Sequence, residues 1–174
     1  MKVIRVAALS LFLACLASSV PAQTSRHEIS IAAGASQFDA SGPGTAPLAA
    51  IRLSGPIASS WLLGDLSLSY ASLDEQFSTV NTRTGVAEGQ VQAQWPATRF
   101  RPYIGIGGGW LHYFNNDAGR GATAQTASGS VGLRVAASSA VLLRGEMRLR
   151  TWDSGNSGFH NNAAEFTAGV GFAF

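Results

Sequence analysis

The chain has 174 residues, a mass of 18.1 kDa and a formal net charge of +2. Twelve basic residues face ten acidic ones without a basic run, so charge gives no argument for a nucleic-acid partner. Beyond the first 22 residues no 18 apolar residues stand in a row, which excludes a membrane-spanning helix there.

The N-terminus reads as a secretory leader. Lys2 and Arg5 precede an uncharged apolar stretch over 6–20, and Val20-Pro21-Ala22 places small residues where a signal peptidase reads, so cleavage is expected after Ala22. Cys15 admits a lipoprotein reading, but Phe12 and Leu13 before it fit a lipobox poorly. Cleavage leaves 152 residues with ten arginines against ten acidic residues, so the pI of 9.1 is partly a property of the leader. It also removes the one cysteine and with it any intrachain disulfide. A secreted chain of this size then needs a substantial core or a closed sheet. If it is integral to a membrane it must be a β-barrel, because only helices and closed barrels satisfy their backbone in lipid.

Alternation with period two predicts eight strands. The first, near 26–37, puts Ile29, Ile31, Ala33 and Ala35 on one face and Glu28, Ser30 and Ser36 on the other. The second, near 47–54, sets Ala49, Ile51 and Leu53 against Arg52 and Ser54. The third, near 61–72, sets Leu62, Leu66, Leu68 and Tyr70 against Asp65, Ser67 and Ser69. The fourth, near 83–95, sets Ala87, Val91, Ala93 and Trp95 against Glu88, Gln90, Gln92 and Gln94. In the fifth, near 101–113, Ile104, Ile106, Gly108 and Trp110 oppose Tyr103, Gly105, Gly107 and Gly109. The sixth, near 123–135, sets Ala127, Val131, Leu133 and Val135 against Ser128, Ser130 and Arg134. The seventh, near 140–151, sets Leu143, Met147 and Leu149 against Arg144, Glu146, Arg148 and Arg150. The eighth, near 163–174, sets Phe166, Ala168, Val170, Phe172 and Phe174 against Glu165, Thr167 and Gly169.

Charges and aromatics sort with these faces. Glu28, Asp65, Glu88, Glu146 and Glu165 share the polar face with Arg52, Arg134, Arg144, Arg148 and Arg150, a set that sums to zero. Trp61, Trp95 and Phe100 fall near one set of strand ends, and Tyr70, Trp110, Tyr113 and Phe114 near the other, as two interfacial girdles would. Trp152 sits at a strand end but on the polar parity. A soluble lipocalin-like barrel has the same strand pattern with the apolar face turned inward; it gives no reason for a charge-balanced face.

Short connections are expected at 55–60, 96–99 and 136–139. Longer ones, rich in Gly, Asn, Asp and Ser, fall near 39–46, 74–81, 115–121 and 153–162. With both termini periplasmic, the longer set is extracellular and is where an outside partner would be met.

The fifth strand, Arg101-Pro-Tyr-Ile-Gly-Ile-Gly-Gly-Gly-Trp110, resembles the Pro-Tyr-x-Gly-x-Gly-x-Gly segment of small outer-membrane barrel proteins, of the opacity/surface-antigen type and the OmpA-like transmembrane domain. The end of the chain, with Thr167, Gly169, Phe172 and Phe174, resembles the C-terminal signal that hands such barrels to the barrel-assembly machinery. The resemblance implies an all-β, eight-stranded, antiparallel up-and-down transmembrane barrel over 23–174, delivered to the bacterial outer membrane after Sec-type export. It also implies outer-membrane lipid and lipopolysaccharide as surroundings.

Three kinds of chemistry are open to such a barrel. Eight strands enclose just enough room for side chains, so the interior charges either pair into a plug or line a small channel. The glycine run of the fifth strand is expected to make room for the arginines. Some eight-stranded barrels modify lipid A, and a deacylase of that type resembles a His-x-Ser pair beside a carboxylate. Here His27, His112 and His160 lack a Ser two residues later, and Ser157, His160 and Asp153 have only a generic spacing. No catalytic residue is assigned. Three dispersed histidines give no metal-ligand spacing, and Gly107-Gly-Gly109 lacks the Lys of a phosphate loop, so neither metal nor cofactor is expected. The expected role is structural or surface interaction, with a channel and a lipid A-modifying enzyme as alternatives.

Overall fold

The structure, a computed structural model, describes residues 27–38, 45–73, 82–95, 99–114, 122–153 and 160–174. The leader with Cys15, the turn at 96–98 and most of the four expected loops lie outside those residues.

Eight strands follow one another in chain order: β1 (Glu28–Phe38), β2 (Thr45–Ser59), β3 (Leu62–Leu73), β4 (Thr82–Gln94), β5 (Phe100–Tyr113), β6 (Ala122–Ala136), β7 (Val141–Asp153) and β8 (His160–Ala173). Each pairs antiparallel with its neighbours, and β8 returns to β1 to close the barrel. Closure leaves no free edge, so every strand satisfies its backbone within the sheet.

Burial alternates along every strand, and its direction decides between the two barrels that the pattern allowed. The apolar parity is outside: Ile31 is 62 % exposed, Leu68 64 % and Ile106 75 %. The polar parity is inside: Gln92 is 0 % exposed, Asp65 1 % and Arg148 2 %. A water-soluble barrel would reverse the two, since burying charge while exposing this much hydrocarbon is unfavourable in water. In a bilayer the same arrangement is the favourable one.

Strand ends differ from expectation at both ends of β2, which begins at Thr45, and at the start of β8, His160. The turn expected at 55–60 shrinks to Ser60-Trp61, because β2 runs on to Ser59 through a register shift between Pro56 and Ser59. Pro56 has no N–H to give to the ladder, and an irregularity of this kind accommodates it.

The β1–β8 seam is close-packed. Gly34 faces Thr167 across it, and a Cβ there would overlap the Phe166 carbonyl. Gly34→Val should therefore block closure, read as loss of the faster gel migration that an unboiled barrel shows over its boiled form. Gly145→Ala, where nothing lies within 4 Å of the added carbon, should keep it. Normal migration of Gly34→Val would show that the seam yields.

Candidate functional site

The interior is the densest concentration of chemistry in the molecule. All ten charged residues singled out from the sequence are buried there: Glu28, Arg52, Asp65, Glu88, Arg134, Arg144, Glu146, Arg148, Arg150 and Glu165. They come from seven strands, with β7 supplying four of them at alternate or near-alternate positions.

Glu146 is the hub. Its Oε1 receives Arg52 Nη1 at 2.6 Å, Arg148 Nη2 at 2.8 Å and Arg148 Nε at 3.0 Å. Its Oε2 receives Arg144 Nη2 at 2.8 Å and the Tyr103 hydroxyl at 2.6 Å. Arg144 donates onward to Asp65 Oδ2 at 2.7 Å, and Ser54 donates to the same oxygen at 2.7 Å. Arg148 Nη1 reaches Glu88 Oε1 at 3.0 Å, and Arg150 Nη2 reaches Glu88 Oε2 at 2.9 Å. Arg150 also pairs with Glu165. Toward the turns, Arg134 Nε meets Glu28 Oε2 at 3.1 Å and Nη2 donates to Gln92 Oε1 at 2.7 Å. Charge-assisted bonds of this kind are the strong members of their class.

Several residues of the network were not singled out from the sequence. Tyr103 donates to Glu146, accepts from Arg144 Nε at 2.8 Å, and has the Arg134 guanidinium 4.5 Å from its ring centroid. A legible signal existed: Tyr103 has inward parity, and its partner across β5–β6 is Gly132, where a Cβ would collide with the phenol. Arg101 is buried as well, so six arginines face five acids inside. The glycines of β5 make room for something other than arginines. A Cβ at Gly105 would press on Ser130, Gln92 and Gln90, and one at Gly107 would collide with Gln90. Gln90 and Gln92 fill that space and bond to Glu88 and to each other.

Apolar side chains cover the interior at its loop end. At the loop end lie Ala46, Leu48 and Ala71, and beside them Val86, Leu111, Trp152 and Ala163. At the turn end Leu63, Ala136 and Leu142 are buried. Between the network and the loop-end layer remains a cavity of about 10 Å³, lined by Arg150, Glu165, Leu111 and Trp152 among others. That is about the room of one water probe.

The aromatics expected at the interfaces divide. Trp61 and Trp95 at the turn end point outward and are exposed, as do Tyr70, Trp110 and Phe114 at the loop end. Tyr113 does not belong with them. It shares parity with Leu111 and packs half-buried against the Val86–Leu111–Trp152–Ala163 layer inside the mouth. Thr167 and Gly169 face inward, while Phe172 and Phe174 face outward. Phe174 N–H donates to the His27 carbonyl at 2.9 Å and its ring lies 6.0 Å from the His27 ring. His112 is at the opposite end, its Nδ1 2.8 Å from Thr123 Oγ1. The His160 side chain, Ser157 and the Asp153 side chain lie outside the described residues.

Comparisons with known proteins agree with this geometry. The family model described as outer membrane protein beta-barrel domain matches residues 8–174. No curated protein matches in sequence. Among solved structures, the chain is similar to Neisserial surface protein A at TM-score 0.69 and 13% identity, covering 87% of this chain and 98% of that one. It is similar to OprG, an outer membrane protein from Pseudomonas aeruginosa, at TM-score 0.57 and 10% identity, covering 90% and 99%. It is also similar to the outer membrane enzyme PagL, at TM-score 0.55 and 12% identity, covering 84% and 99%. At these identities the likeness is one of fold, shared by a surface protein and an enzyme alike. An apolar exterior, a charge-paired interior and a family match over nearly the whole sequence lead to one conclusion: the chain belongs to the outer membrane protein beta-barrel domain family.

Proposed function

We propose that the protein is a sealed, structural outer-membrane barrel that presents its longer loops, near 39–46, 74–81, 115–121 and 153–162, to an extracellular partner. In this reading residues 1–22 are a cleaved export leader, and Thr167, Gly169, Phe172 and Phe174 are the signal read by the assembly machinery. The observation that carries it is the filled interior. Paired side chains cross the lumen, apolar layers lie at the loop end, and a cavity of about 10 Å³ beside them is far below what a hydrated ion needs. The lumen charges then serve register and closure, since Arg52–Glu146, Arg134–Glu28, Arg144–Asp65 and Arg148–Glu88 join strands that are distant in the chain.

Conductance tests the seal. Planar bilayers holding the wild-type barrel should show no unitary steps, and Arg148→Ala, which unpacks the centre, should be the variant that leaks. Steady conductance of the wild type would instead support a small channel.

Stability tests the structural role of the charges. Glu146→Ala leaves Arg52, Arg144 and Arg148 without their shared acceptor, so it should cost about 3–5 kcal/mol. Tyr103→Phe, which removes one hydroxyl from the same hub, should cost about 1.5–3 kcal/mol. Urea unfolding in lipid vesicles, followed by tryptophan fluorescence, reads both, and an unchanged midpoint for Glu146→Ala would remove the hub from the account.

Delivery is tested by deleting Phe174. Its ring is 67 % exposed on the lipid face, so its loss costs the folded barrel little packing. A sharp fall in outer-membrane assembly in cells, with refolding in vesicles retained, is the outcome that assigns Phe174 to the machinery. Unchanged assembly counts against the signal.

A further inference from the structure

Charge is balanced along most of the interior and unbalanced at one end. Toward the loops, Arg148 and Arg150 meet Glu88 and Glu165. At the centre, Arg52 and Arg144 share Glu146, and Arg144 also holds Asp65. At the turn end, Arg99, Arg101 and Arg134 gather around one nearby acid, Glu28. With Arg99, seven guanidinium groups meet five carboxylates in the described interior and its rim.

The sheet register crowds these cations together. Arg101 on β5 is paired directly with Arg134 on β6, and Arg134 with Arg144 on β7. Like charges in directly opposite positions repel. Arg134 is relieved by Glu28 at 3.1 Å, by the side-chain oxygens of Gln92 at 2.7 Å and Gln94 at 3.2 Å, and by the Tyr103 ring. Asp65 lies 3.9 Å from it, but Arg144 holds the same oxygen at 2.7 Å. Two residues before Arg101 stands Arg99, half-buried, whose carbonyl accepts from the N–H of the buried Ala136 at 3.0 Å. Arg99 and Arg101 have partners of their own, so the surplus is one of charge rather than of idle donors. Charge taken out of water without a counter-charge is strongly unfavourable.

The ligand that removes this surplus is an anion. A guanidinium presents a planar fork of N–H groups, which an oxyanion meets with two parallel bonds and a spherical halide does not. The site opens inward and not on the outer wall, because Arg101 shares the buried parity of Tyr103. Its ligand therefore arrives from the water at the turns rather than from the bilayer. We infer that the turn-end mouth binds one free oxyanion of the phosphate type, held by Arg99 and Arg101 with Arg134 behind them. That the periplasm supplies it rests on the proposed orientation with the turns inside.

The test uses barrels refolded in an uncharged maltoside detergent, which brings no phosphate headgroup and leaves both ends open to water. Sodium phosphate is titrated in at constant ionic strength, with chloride as the balance, and followed by calorimetry. Wild type should take up one phosphate per barrel, saturably. Arg99→Gln and Arg101→Gln should each weaken uptake about tenfold, the worth of a hydrogen bond to a charged group. Arg99→Lys, which keeps the charge without the fork, should recover part of it. Arg83→Gln, exposed on the outward parity of β4 at the loop end, should bind as wild type does. Heat-modifiable migration of each variant separates loss of the site from loss of the barrel, and Arg99→Gln at the half-buried rim keeps the test decisive if Arg101→Gln fails to close. Absence of saturable uptake by wild type overturns the site, and so does equal affinity in wild type and Arg99→Gln. Chloride acting as well as phosphate reduces the effect to screening and overturns it too. Loss of the phosphate response in phosphatidylglycerol bicelles would make a lipid headgroup the ligand and overturn the free ion.

Discussion

Glu146 accepts from three guanidinium groups and a phenol, and those donors come from β2, β5 and β7. The bond from Arg52 on β2 cannot form in an open sheet. Arg52 reaches Glu146 across 94 residues of sequence, and Arg134 reaches Glu28 across 106. These two pairs cross the lumen, so they form only when β8 has found β1, whereas Arg144 and Arg148 meet Glu146 within β7. Until then the same charges need water. The interior thus ties closure to desolvation: the last seam and the last ion pairs are completed together.

That coupling explains why so costly an interior is tolerated. Burying an ion pair gains little over packing hydrocarbon, while breaking one is severe. A barrel filled with leucine would be apolar on both faces, and nothing in its sequence would say which parity belongs outside. The arginines of β7 remove that ambiguity, since a slip of one residue would turn Arg144, Arg148 and Arg150 toward lipid together. In the proposed reading the pairs contribute specificity of register rather than added stability.

Much of this was legible in the sequence because period two is a strong signal when each face has one chemistry. Asp65 between Gly64 and Leu66, or Arg148 between Met147 and Leu149, admits only one assignment once the sheet is closed. The direction of the faces was legible in the gathering of charge on one parity, although Arg101 makes that face one arginine richer than the balance of ten suggested. What failed were strand ends and partners. Tyr113 was placed by its nearness to Trp110 and Phe114 rather than by its parity, which groups it with Leu111. The end of β2 was hidden because Pro56 reads as a breaker, although a bulge accommodates it. Tyr103, Gln90 and Gln92 were on the correct face but carry no charge, so an accounting by charge passed over them. The glycines opposite them, Gly132 and those of β5, held the missing information about volume.

The apolar layer at the loop mouth has a further effect. Salt weakens an ion pair most where mobile ions can approach it, and the buried Leu48, Leu111 and Trp152 stand over Arg150 and Glu165 at the loop end. The attraction between Arg150 and Glu88, or between Arg144 and Asp65, is therefore set by the protein and not by the medium. A cell surface meets dilute and saline surroundings in turn. This barrel keeps the Arg150–Glu88 and Arg150–Glu165 pairs behind that layer on the side that meets them.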